Sequence, residues 1–308
     1  MSLTGHLKTK ESLVGNCIKQ VLFSNTKKVL KQAKAEPASL LFVAPPQKPY
    51  PYGLAGMAFD YRLRFFLERT PLESLIAHKA SRALSEIGFS RPVQTPDFIN
   101  LFWLSLEKFL DTTMPVRRQL DEDNEQRLAR YCLVMAKFEE FYRTKNVDPV
   151  LTDTKFQNVE ELLNLMPSVV VGDLCQLAKE FHDNGLQYFG PDERLILNPT
   201  FAGSQDVGGA DADLIVGTCL VDIKTTIDPA IKSDYLHQLL GYVLLDYNDK
   251  YAIDEVAVFS ARYCKMHRWN IVELIQELSG DSEMSIAKAK NTFRIAITNE
   301  QIRQDELF

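Results

Sequence analysis

The sequence is short of the residues that most often mark a redox or metal centre. Its five cysteines (Cys17, Cys132, Cys175, Cys219 and Cys264) are odd in number, widely spread and without a C-x-x-C pair. That argues against a disulfide framework, a zinc ribbon and an iron–sulfur cluster alike. The five histidines are as scattered, so no histidine-based metal site is legible. Apolar runs such as "SLLFVAPP" are far too short to cross a bilayer, and lysines interrupt the first thirty-five residues, unlike a signal peptide. A glycine-rich phosphate loop and G-x-S-x-G are missing, and no cysteine or histidine sits in a recognisable nucleophile setting. There is no internal repeat and no low-complexity tract. The expectation from these absences is a globular protein of the reducing cytoplasm, with no membrane partner.

What is present is ordinary for such a chain: 308 residues, 45% hydrophobic and 25% charged. That is enough for one large domain or two moderate ones, each with a real core. Charge is less evenly spread. Residues 1–35 hold seven lysines (Lys8, Lys10, Lys19, Lys27, Lys28, Lys31 and Lys34) against Glu11, a local balance of +6 that leaves the remainder at −12 for a total of −6. A basic start on an acidic body can hold phosphates locally, although a solvated lysine-rich helix produces the same tally.

The first half reads as helical. Helical patterns are expected over 11–35, after the proline-rich "APPQKPYPYG" in "MAFDYRLRFFLERT", from Thr95 with its aromatic stripe, over 121–145, and over 168–183 with Gly185 as a stop. In "MAFDYRLRFFLERT" the apolar face is Phe59, Leu63, Phe66 and Leu67, with Arg62 and Arg64 off it. These two are candidates for gripping DNA phosphates, or simply members of a solvent-facing row. After about residue 190 short β-branched runs take over, near 194–202, 209–217, 219–226 and 254–261. A helix is expected at 233–248, with Ser233 as its cap, and two short helices near 270–279 and 284–297, before a solvated end. Three regions are expected: helical 1–120, an α/β core 121–265, and a helical tail 266–308.

The densest chemistry lies in "GGADADLIVGTCLVDIKTT", Gly208 to Thr226. If Gly217 and Thr218 make a two-residue hairpin turn, Val216 faces Cys219, Ile215 faces Leu220 and Leu214 faces Val221. Extended further, Asp213 faces Asp222 and Asp211 faces Lys224. The period of two then puts Asp211, Asp213, Asp222 and Lys224 on one face and an apolar row on the other. Like charges in cross-strand register repel, so folding alone does not explain Asp213 opposite Asp222. A hard divalent cation between them would turn that repulsion into affinity, and Lys224 would orient or deprotonate an attacking water.

Asp, a turn of about ten residues, then Asp-Ile-Lys resembles the D…(D/E)-x-K core of the PD-(D/E)XK nuclease superfamily. "HQLLGYVLL" looks like the Q-x-x-x-Y motif of its RecB-type branch, with Gln238 and Tyr242 one turn apart on one helical face. The resemblance covers roughly residues 125–262. It implies a restriction-endonuclease-like α/β fold with an α-β-β-β-α-β order and a mixed central sheet. It further implies a magnesium or manganese ion on Asp213, Asp222 and the Ile223 carbonyl, with Asp211 also a candidate ligand because Gly208-x-x-Asp211 resembles the branch's G-x-x-D. The branch often adds a glutamate from a preceding helix. Glu139, at the edge of the apolar stripe of the 121–145 helix, fits better than Glu140 on its far side, and Glu180 is the alternative if 168–183 is the core's first helix. Gln238 and Tyr242 would hold the site together or touch the nucleic acid. The implied activity is metal-dependent phosphodiester hydrolysis in DNA, with RNA as the other candidate substrate. The alternative is a non-catalytic subunit of a DNA-processing or phage-defence assembly, binding nucleic acid or docking a protein partner through the N-terminal helical region.

Overall fold

The structure is a computed structural model that describes residues 1–306 apart from 34–39, 48, 87–95 and 153–155. Lys34 of the basic start and Thr95, expected to open a helix, lie outside the described residues. The helices are α1 (Leu3–Lys8), α2 (Leu13–Asn16), α3 (Thr26–Ala33), α4 (Tyr52–Leu67), α5 (Ile76–Glu86), α6 (Pro96–Thr113), α7 (Glu122–Thr144), α8 (Val159–Asn164), α9 (Ser168–Glu180), α10 (Ser233–Leu245), α11 (Ile271–Ser279) and α12 (Ile286–Asp305). The strands are β1 (Leu195–Leu197), β2 (Leu214–Val216), β3 (Cys219–Lys224), β4 (Glu255–Ser260) and β5 (Lys265–Asn270). They form one mixed sheet in the order β1-β2-β3-β4-β5. Only β3 and β4 are parallel, and α10 makes the crossover between them.

The turn at Gly217-Thr218 sets the expected register: Leu214 pairs with Val221, Ile215 with Leu220 and Val216 with Cys219. Alternation then sends successive residues to two different cores. Leu214, Val216, Cys219 and Val221 pack with α4 to α9. Ile215, Leu220, Val256 and Val258 pack with α1, α2 and α10 to α12. Both faces of the sheet are thus covered by helices. One core draws on residues from Val43 to Ala261, while the other joins the start of the chain to its end.

Several elements differ from expectation for physical reasons. The basic helix expected over 11–35 is broken: α2 runs into a π turn at Cys17–Leu22, and Phe23, fully buried, interrupts it before α3. β5 was expected to be helix or tail. "KMHRWN" carries no apolar alternation because it is an edge strand, and only the ladder to β4 reveals it. Ser233 occupies the first helical position of α10, after Lys232, whose side chain does not cap the helix. α7 follows its signals, with the Asp121 carboxylate accepting from Asn124 N–H at 2.9 Å and Lys145 closing the helix at φ 61°. Among the described residues no helix is long and apolar enough to cross a membrane.

Candidate active site

β2 and β3 part company below Leu214. The extended pairing of Asp213 with Asp222 and Asp211 with Lys224 does not form, because the chain before β2 stays with the β1 side. There the Asn198 N–H donates to the Asp213 carbonyl at 2.9 Å, the Ala212 N–H to the Pro199 carbonyl at 3.2 Å, and Thr200 bridges Asp211. The Asp213 side chain fills the gap and accepts from the Ile223 N–H at 2.6 Å, replacing a ladder bond. N–H and C=O of one strand residue point to the same edge, so the Ile223 carbonyl faces this gap too. The gap lies at the carboxyl end of the parallel β3–β4 pair, the usual crevice of such sheets.

Side chains from both helical layers converge on it. Asp222 projects from β3 toward α10 and is 3% exposed, and the Lys224 ammonium lies 2.7 Å from its Oδ2. This ion pair is the one contact at that oxygen among the described residues, and it is strained in angle for a hydrogen bond. From α7, Glu139 takes a hydrogen bond from the Tyr61 hydroxyl and one at 2.7 Å from Arg143 Nε. Arg143 also reaches Asp211 at 3.4 Å, so one guanidinium spans two acids. From α4, Asp60 pairs with Arg64, which donates at 3.3 Å to the Asn198 side chain. Gly56, one turn before Asp60, allows α4 to sit this close: a Cβ there would meet Thr225 Oγ1 at 3.1 Å.

The acids disturb one another. Burial pushes the Asp222 carboxyl up to about 7, opposed by Lys224 and helped by Asp213. Burial likewise raises Asp213, against the pull of Lys224, the Ile223 N–H and Arg64. Asp60 rises to about 7 through burial, with Asp213 and Glu139 adding to it and Arg64 opposing. Burial alone would lower Lys224, but Asp222 and Asp213 outweigh it and hold the ammonium above its usual value. Such clustering of mutually perturbed groups in a crevice is a recognised mark of a functional site.

One face of α10 closes the other side. Tyr235, Gln238 and Tyr242 follow each other at spacings of three and four. Gln238 Nε2 donates to the Tyr242 hydroxyl at 2.8 Å, and the Tyr242 phenol is raised by burial and by the nearby Asp213, Asp222 and Asp211 carboxylates. The Lys224 ammonium sits 4.8 Å from the Tyr235 ring centroid.

Family models, curated proteins and solved structures were all compared with the chain, and none matches.

The expected residues divide cleanly by place. Asp211, Asp213, Asp222, Ile223, Lys224, Glu139, Gln238 and Tyr242 all border the gap. Glu180 does not: its side chain accepts from Asn184 at 2.9 Å. The arginines are a correction. Arg62 is 1% exposed and forms a two-point ion pair with Glu125 at 2.6 and 2.8 Å, so it presents no charge to a phosphate. Arg64 is buried as well, spent on Asp60. α4 is enclosed on nearly every side, and each arginine enters with its own acid. Gly208, read as part of a G-x-x-D motif, has φ 68° and lies against the Met1 backbone, where a Cβ would come within 2.5 Å. That packing accounts for the glycine by itself. Sequence reasoning missed Asp60, Arg143, Asn198 and Tyr235; the only signal for Asp60 is an acid one residue from Phe59 in an otherwise apolar turn.

Among the described residues no three histidine, cysteine or acidic side chains are grouped as a metal cage. The donor chemistry still suits a hard cation: two carboxylates and a main-chain carbonyl border one gap, and among those residues the buried Asp222 oxygen is met only by the Lys224 ammonium at poor hydrogen-bond angles.

Proposed function

We propose that this chain is a divalent-metal-dependent nuclease that hydrolyses phosphodiester bonds in DNA, on a variant of the restriction-endonuclease-like core. The observation that carries the reading is the meeting of Asp213, Asp222 and Lys224 at the carboxyl end of β3, where Asp213 breaks the ladder to reach the Ile223 N–H at 2.6 Å and Lys224 stands 2.7 Å from Asp222. A strand selected only for stability would pair there instead of burying Asp222 and setting a half-buried Asp213 beside it.

Asp213, Asp222 and the Ile223 carbonyl are the groups that would hold magnesium or manganese, with Asp211 and Glu139 as the outer acids. The metal would supply Lewis acidity toward the phosphodiester and lower the pKa of a bound water. Lys224, with its ammonium 2.7 Å from Asp222, would orient or deprotonate the attacking water. Gln238 and Tyr242 fix the α10 face against the acids. Arg143 holds the outer carboxylates Glu139 and Asp211 in place, and Arg64 holds Asp60.

The test compares wild type with Lys224→Ala on linear, circular and single-stranded DNA in magnesium, manganese or EDTA. Metal-dependent cutting by the wild type and its loss in Lys224→Ala are expected. Cutting that survives the substitution unchanged would refute the mechanism. DNA binding without cutting by either protein would favour the non-catalytic subunit instead.

A further inference from the structure

Resting on that reading, we propose that Arg143 is the clamp for a phosphate of the DNA and that Asp211 governs it: once Asp211 turns to a divalent cation, the guanidinium offers its whole outer edge to two phosphate oxygens. With Arg62 and Arg64 withdrawn, the gap needs a cation that an incoming phosphate can meet. Arg64 is 6% exposed and bound to Asp60, and Lys224 lies against Asp222 and the Tyr235 ring. Among the described residues bordering the gap, Arg143 is the cation left, with 49% of its side chain exposed near the end of α7.

The two edges of this guanidinium are used differently. Its inner edge is fixed: Glu139, buried and held by the Tyr61 hydroxyl, places one oxygen 2.7 Å from Nε and 2.5 Å from Nη2. The outer edge consists of Nη1 and Nη2. Asp211 meets it through Nη2 alone, at 3.4 Å, and Nη1 makes no hydrogen bond among the described residues. A pair of N–H donors in this fork matches two oxygens of one phosphate. Asp211 takes up half of the fork and sets a carboxylate where the phosphate would come, so like charge opposes entry. Asp211 is also a candidate ligand for the cation. Ligation neutralises the opposing carboxylate and completes the fork in one event, while Glu139 keeps the guanidinium in place. The gap therefore admits a cation first and a phosphate second.

The experiment measures binding without cutting, in EDTA and with calcium in place of magnesium. Fluorescence anisotropy of a labelled DNA duplex compares wild type, Arg143→Lys, Asp211→Asn and the double variant. Lysine keeps the charge and the reach to Glu139 but has no two-donor edge. In calcium, Arg143→Lys should bind on the order of ten-fold more weakly than wild type. In EDTA, the same exchange should cost on the order of ten-fold only where Asp211 is also asparagine, because the fork is then free without a metal. A cost that is the same with and without calcium, and with and without Asp211, would make Arg143 an ordinary surface charge and overturn the proposal. No cost in calcium, or none in EDTA beside Asp211→Asn, would overturn it as well. Cutting in magnesium is read separately. The expected binding pattern without cutting would retire the hydrolytic reading and leave the clamp standing, whereas metal-dependent cutting with DNA affinity indifferent to Arg143→Lys would do the reverse.

Discussion

Replacing Asp222 with asparagine should make the metal-free protein more stable at pH 8 while abolishing its chemistry. Asp222 is almost fully buried, its carboxyl is moved from 3.8 to about 7, and burial is the chief cause. A carboxyl whose folded pKa is raised binds its proton more tightly folded than unfolded. Its contribution is therefore fully present below about pH 3.8 and is lost as pH rises through about 7. At about 1.36 kcal/mol per pH unit, the whole displacement corresponds to roughly 4 kcal/mol, and the charges shared with Asp213 reduce what one substitution recovers to about 2 kcal/mol. Asparagine keeps the shape and removes the charge; the ion pair with Lys224 goes too, but burial already outweighs that attraction. For a chain of 308 residues the gain amounts to a rise in melting temperature of about 3 °C.

Urea or thermal melts in EDTA at pH 8 and pH 5 read this directly. Wild type should lose stability between the two pH values, and the advantage of Asp222→Asn should shrink at pH 5, where the wild-type carboxyl is already protonated. Magnesium should then stabilise wild type in proportion to its occupancy and leave Asp222→Asn nearly unmoved. A variant that is less stable than wild type at pH 8, or whose advantage does not change with pH, would show that Asp222 is not the buried, repelled acid described above.

Three further outcomes follow from named contacts. Arg62→Ala leaves Glu125 buried without its partner and should cost about 3–5 kcal/mol in urea melts, with unchanged DNA affinity in the protein that remains folded; the opposite pattern would return Arg62 to the surface. Gly56→Ala and Thr225→Ala should couple in a double-mutant cycle by on the order of 0.5–1 kcal/mol, because the added Cβ would lie 3.1 Å from the Thr225 hydroxyl; additive effects would mean α4 does not press on the end of β3. Exchanging the exposed Lys27, Lys28 and Lys31 of α3 for glutamine should flatten the salt dependence of DNA binding in anisotropy titrations, since α3 flanks α10 through a 3.0 Å contact between Thr26 and His237. An unchanged slope would remove α3 from the path of the strand.

The hairpin could be read from the sequence because two local signals agree: a glycine-first turn and a strict alternation that places four charged residues in one parity class. Where the ladder ends could not be read. A side chain replaces a backbone partner at Ile223, and no pattern of residue types announces that substitution. The arginines of α4 were misplaced for a related reason. Periodicity assigns charge to the outside, yet Arg62 and Arg64 are buried with acids drawn from sixty-three residues and one turn away. Asp60 was hidden by the same rule. β5 escaped because an edge strand has little to bury and so shows no alternation.

The make-up of the gap bears on what the N-terminal half is for. Among the described residues, five acids border it (Asp60, Glu139, Asp211, Asp213 and Asp222) against three cations, Arg64, Arg143 and Lys224. With every group ionised the deficit is two negative charges, which is what one divalent cation would offset. Only Lys224 among the cations belongs to the hairpin; the other two come from α4 and α7, one of them more than a hundred and fifty residues earlier in the chain. Remove α4 and α7, and Asp211 and Asp213 lose the guanidinium charges that hold the outer acids, while the end of β3 loses the helix packed on Thr225. The helices before the sheet are therefore part of the site's electrostatics and not an appendage to it. A fragment of this chain that begins at residue 121 would keep Asp213, Asp222, Lys224 and the Arg143 of α7 but lose Asp60 and Arg64 of α4, and with them part of the charge arrangement around the gap.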